Sequence, residues 1–122
     1  MIKLDEHEQH MLQALLDDFS ARAHYLITLN KLLNNWRVFV ADVERGYPAG
    51  AYEYDNDLAS RDLLQDIIEL GPDTLRQQLV IQLEPWDVRF RGATYACAEK
   101  STSCPRSDRW WWDRMPKKEV NE

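Results

Sequence analysis

The chain has 122 residues and a mass of 14.4 kDa, the size of one domain. That is enough to bury roughly two thirds of the unfolded surface in one core without disulfide or metal staples. A composition of 44% hydrophobic and 30% charged residues excludes a wholly disordered chain, and a net charge of −6, from 15 basic and 21 acidic groups, argues against nonspecific nucleic-acid binding, which needs a basic surface.

No apolar run reaches the roughly 18–20 residues of a membrane span. The opening Met1-Ile2-Lys3-Leu4-Asp5-Glu6-His7-Glu8 is too acidic for a secretory signal, so the expected location is the cytoplasm. The acidic balance suits simple solubility or a basic protein partner.

Residues 1–45 contain neither Gly nor Pro. Leu12, Leu15, Leu16, Phe19, Ala23, Leu26, Leu29, Leu33, Trp36, Val40 and Val43 recur in steps of three and four, the period of an amphipathic helix. The spacing predicts a helix over about 5–45, unbroken or interrupted near 19–22, stopped by Gly46 and Pro48. Unbroken, it would run to roughly 60 Å, longer than the helices that follow, and Leu12, Leu15, Leu16 and Phe19 would overhang them. Burying four such side chains is worth on the order of 6–12 kcal/mol in transfer terms. The unbroken form, which is the one favoured, therefore implies a homodimer through the first helix; the broken form closes a self-contained four-helix bundle.

A second helix is expected over about 52–70, with Tyr54, Leu58, Leu64, Ile67 and Ile68 on its apolar side and Gly71 as its left-handed stop. Pro72 suits the first turn of the next helix. Leu75, Leu79, Leu83, Trp86, Phe90, Ala93 and Cys97 hold helical phase over about 73–98, with a kink or short break expected at Pro85. Residues 1–98 thus read as an all-α bundle of three to four helices. Residues 99–122 lose the period and form an irregular tail, rich in tryptophan and expected to pack on the bundle.

Residues 46–71 hold six acidic groups against one basic, net −5. At 100° per residue, Asp57 and Arg61 fall on the side of Tyr54, Leu58, Leu64 and Ile68, while Asp55, Asp62, Asp66 and Glu69 share a solvent face. Asp57 and Arg61, four apart, suit a bidentate pair at the core edge. They read as a structural ion pair fixing helix register or, with Tyr54, as a small polar pocket. In the pocket case Arg61→Ala would remove ligand binding more than stability.

Trp110, Trp111 and Trp112 with Arg109, Arg114, Lys117 and Lys118 carry the types that anchor interfaces. Left exposed, three adjacent tryptophans would invite aggregation. The simpler reading is a tail folded back over the open end of the bundle, its basic groups drawn to the acidic second helix. The other reading is a partner-binding segment.

Other motifs fall short. Asp55-Asn56-Asp57 resembles a calcium loop, but Ser60 stands where the turn glycine belongs and Asp66 where the bidentate glutamate belongs. His7 and His10 are one residue short of the His-Glu-x-x-His zinc spacing. Cys97 and Cys104 have no second ligand pair for zinc. They read as free thiols in a reducing compartment, or as a disulfide tying the tail to the last helix. No serine has a nucleophile-elbow context and none of Gly46, Gly50, Gly71 and Gly92 sits in a phosphate loop. No catalytic residue, metal or cofactor is assigned. The leading expectation is a small non-enzymatic interaction or regulatory protein, of the acidic adaptor or toxin-neutralising type. The alternative is a small-molecule-binding bundle with a pocket at Tyr54, Asp57 and Arg61; a weaker third is a helical hydrolase using metal on carboxylates.

Overall fold

The computed structural model describes residues 2–48, 53–96 and 109–120, of which 48, 53–56, 119 and 120 are described by their backbone alone. Cys97 and Cys104 lie outside the described residues, as does the side chain of Tyr54. Four helices build the core: α1 (Glu6–Ala23), α2 (Leu29–Arg45), α3 (Glu53–Leu70) and α4 (Asp73–Ala93). The molecule is an all-α bundle, and none of its described helices is long and apolar enough to cross a membrane.

The first helical stretch is two helices, not one. Asp5 caps α1 through a capping box: the Glu8 backbone N–H donates to Asp5 Oδ1 at 2.8 Å, and the Asp5 N–H donates to Glu8 Oε1 at 2.9 Å. The helix ends at His24, which takes a left-handed conformation with φ 64°. The Ser20 hydroxyl then accepts the N–H of Ile27 at 2.8 Å, pinning the reversal, and Thr28 caps α2 by accepting the N–H of Lys31 at 3.1 Å. The break therefore falls at residues 24–28, just beyond 19–22, where two cap residues outweigh an apolar stripe that keeps its phase across them.

This corrects the long overhanging helix. Leu16 and Phe19 are buried in the chain's own core, and Leu12 and Leu15 pack part-buried against it. The unbroken helix on which a homodimer through α1 depended does not form.

α2 is the central helix, with Trp36, Val40 and Val43 fully buried. They pack against Leu58, Leu64 and Ile67 of α3 and Leu75, Leu79 and Phe90 of α4. Trp36, Phe39 and Phe90 form a ring cluster with centroids 5.0–5.8 Å apart. Gly71 closes α3 by donating to the Ile67 carbonyl at 2.8 Å. Its φ is not the expected left-handed one; glycine is needed instead for space, because a Cβ there would stand 2.6 Å from that oxygen. Pro72 occupies the N-cap of α4 rather than its first turn.

On the surface, Arg89 of α4 holds both carboxylate oxygens of Glu44 of α2. Its hydrogen bonds keep the Glu44 pKa below the ordinary carboxylate value against the opposing effect of burial, and its charge adds to the lowering.

α4 runs through Pro85 without interruption and stops at Ala93, short of 98. Short strands follow. β1 (Tyr47–Pro48) pairs in parallel with β4 (Glu119–Val120), and β2 (Thr94–Ala96) pairs antiparallel with β3 (Arg114–Pro116), Tyr95 opposite Met115. A 3-10 turn, Trp110–Asp113, leads into β3. Strands of two or three residues are too short to show a period of two, which is why the sequence pattern contains no sign of them.

Pro85 faces solvent and cannot donate to the Ile81 carbonyl, so it costs α4 one backbone hydrogen bond. Pro85→Ala should raise stability by about 1–3 kcal/mol in urea denaturation. An unchanged or lowered midpoint would show that the ring is needed where it is.

Candidate functional site

Position 87 lies between Leu83 and Phe90, both buried on the apolar side of α4, so the helix carries a carboxylate to the core edge. Asp87 Oδ1 accepts the Trp36 indole N–H of α2 at 3.0 Å and the Arg61 Nε–H of α3 at 3.2 Å. Oδ2 accepts a second Arg61 N–H at 3.0 Å. A further Arg61 N–H donates to Gln65 Oε1 at 3.2 Å, and the guanidinium lies 4.4 Å from the centre of the Trp111 ring. One carboxylate thus ties three helices together, and a buried guanidinium and a part-buried carboxylate neutralise each other in bidentate geometry.

The pairing corrects the expected one. Arg61 does point inward, but its partner is Asp87 on another helix, not Asp57 on its own. Asp57 accepts the Tyr47 hydroxyl at 2.7 Å instead, which ties the start of α3 to β1.

Of the solvent face expected on α3, Asp62 and Asp66 are part-covered by the tail while Glu69 stays exposed and the Asp55 side chain lies outside the described residues. Asp62 Oδ1 accepts the indole N–H groups of Trp111 at 2.8 Å and Trp112 at 2.9 Å. Arg109, buried beside them, donates to the Asp62 carbonyl at 3.0 Å and bonds Asp66, with Glu69 at 3.4 Å. Burial pulls the Arg109 pKa down, but the hydrogen bond and attraction of Asp66, then those of Asp62, more than offset that and hold it above the ordinary value. Arg109 Nε is buried with no hydrogen-bond partner among the described residues. Trp110 packs on Phe90 at 6.0 Å, with Arg91 stacked 4.0 Å from its centre. Arg114 donates to the Thr94 hydroxyl at 2.7 Å and to the carbonyls of Arg91 and Thr94.

Beside the Arg61–Asp87 pair, α3 and α4 leave an open cleft of about 250 Å³, with Glu84, Val88 and Arg91 at its edge. His7 and His10 are exposed on α1, and among the described residues no three His, Cys, Asp or Glu side chains gather to hold a metal.

Of the residues singled out in the sequence, Arg61 and Trp111 meet at one centre and Trp112 joins it through Asp62. Trp110 and Arg114 hold the tail nearby; Asp57 sits apart, bonded to Tyr47. Asp87 was not among the sequence candidates, although it left a signal, a carboxylate in phase with Leu83 and Phe90; Arg109 stood in the sequence only as one of the tail's basic groups, with nothing in that aperiodic segment to say which of them is buried. Comparison with known protein families, curated proteins and solved structures finds no match.

Removing one member of a buried, hydrogen-bonded pair strands the other, at a cost of about 3–5 kcal/mol. Asp87→Ala should lose that much in chemical denaturation, because it leaves the Arg61 charge without its counter-ion, with only Gln65 to accept from it, and the Trp36 N–H without its acceptor. A loss under about 1 kcal/mol would mean that the ion pair does not hold the helices.

Proposed function

We propose that the chain is a small non-catalytic interaction protein of the cytoplasm that recognises another protein through the outward face of α4. The polar groups at the centre support this by their engagement: Arg61 is bonded to Asp87 and Arg109 to Asp62, and the two pairs also hold the Trp36 indole and the tail. The apolar groups on α4's outer face have no such use among the described residues. Ile81 is 70% exposed and Val88 58%, with exposed Pro85 between them.

Single exposed apolar residues are ordinary. Three at i, i+4 and i+7, opposite the side that packs on the core, make a second apolar stripe of the kind read by a groove in a partner. That row is the observation that carries the reading. It favours a different protein as partner over a second copy meeting through α1. Exposed Glu84 lies beside the row, and with a net charge of −6 the fitting partner has an apolar groove with basic margins. An acidic adaptor or a toxin-neutralising protein is the concrete form.

The test is a photo-crosslinking residue placed at position 81, 88 or, as control, 17 on α1, in cells that make the protein. The same adduct from 81 and 88, absent from 17 and lost in the Ile81→Lys, Val88→Lys double variant, is the expected result. Adducts no different from those of position 17, or a double variant that keeps its partner, would refute the reading.

A further inference from the structure

A second surface, on the other side of α2, carries a different chemistry. An open groove of about 710 Å³ runs between the start of α1, the arm before it, α2 and α4, within the volume range of small-molecule sites. Its apolar walls are Ile2, Leu4 and Leu12 on one side and Leu29 and Leu33 on the other. The arm is fixed there by Gln78 of α4, which accepts the Lys3 N–H at 2.6 Å and donates to the Lys3 carbonyl at 2.7 Å. That clamp makes Ile2 and Leu4 a wall rather than a loose end.

The polar part of the lining is three neutral amides, Gln9, Asn30 and Gln82, and one charge, Arg37. Leu29, Leu33 and Arg37 stand on successive turns of α2, so the groove follows that helix for about 12 Å and has the guanidinium at one end. Arg22, Arg61, Arg76, Arg89 and Arg109 each face a carboxylate. Arg37 has a weak contact with Gln82 Oε1 at 3.4 Å and lies 6.0 Å from the Trp86 ring, with no carboxylate at ion-pair distance among the described residues. A cation without a counter-ion, at the end of an apolar groove, in a chain of net charge −6, is a site short of one anion.

We propose that this groove binds an aliphatic carboxylate, its acyl chain along Leu12, Leu29 and Leu33 and its carboxylate on Arg37. A hydrocarbon chain suits the groove better than a peptide would. A peptide would turn some backbone N–H and C=O groups onto leucine walls that offer them only three side-chain amides, while water meets the rest; an acyl chain has none, and its single charge meets the single cation.

The test uses decanoate, with decyltrimethylammonium as the same chain bearing the opposite charge, in calorimetric and NMR titrations of the whole chain. Decanoate should bind saturably and shift the amides of residues 2–12 and 29–37. Arg37→Gln should weaken it about tenfold or more, the worth of a charge-assisted hydrogen bond, and leave decyltrimethylammonium binding no weaker. Asn30→Trp, at an exposed position on the rim, should fill the groove and weaken decanoate as well; it keeps the test decisive if Arg37→Gln fails to fold. No saturable decanoate binding by the wild-type chain, or wild-type affinity in either folded variant, overturns the proposal.

Discussion

The Asp87 carboxylate is the point at which the molecule is tied together. It takes the Trp36 indole of α2 and the Arg61 guanidinium of α3 while standing on α4, so it fixes how three helices meet. Hydrophobic burial is non-directional and would accept other rotations of these helices about their axes. A bidentate ion pair plus an indole N–H admits far fewer, because each misplacement leaves a buried polar group without a partner. The tail joins the same centre: Trp111 lies against Arg61, and its indole reaches Asp62, beside Arg109. The polar centre and the tail are one connected arrangement.

Helix periodicity made most of this architecture legible. Steps of three and four located the residues of α2, α3 and α4 that are buried, and Gly71 marked the end of α3. The break in the first helical stretch leaves no mark on the stripe, which keeps its phase across residues 24–28; it is set by local cap chemistry at His24 and Thr28 rather than by hydrophobicity. Arg61 was placed on the inward side correctly, and its partner was not. Spacing along one helix exposes only neighbours three or four positions away, such as Asp57, whereas Asp87 arrives from 26 positions on by tertiary packing. The Asp62, Asp66 and Glu69 face is likewise set by the tail: an acidic stripe on a helix has the same pattern whether water or a buried arginine covers it.

The two remaining surfaces divide by chemistry. α4 has a core side, built on Leu75, Leu79, Leu83 and Phe90, and an outer row, Ile81, Pro85 and Val88, that stays exposed among the described residues. The groove along α2 is walled by leucines that also belong to the core's edge, with Arg37 at its end. The first suits a macromolecule with a complementary surface; the second suits a small amphiphile. Neither draws on Asp87 or Arg61, so recognition can vary at Arg37 or at the outer row without removing the ion pair.

The most direct measurement is a double-mutant cycle between Arg61→Met and Asp87→Leu, read by urea unfolding. If the ion pair ties α3 to α4, each single variant is strongly destabilised and the double variant recovers much of the loss, with a coupling energy of about 2 kcal/mol or more. Losses that simply add, with coupling below about 0.5 kcal/mol, would contradict the role given to Asp87.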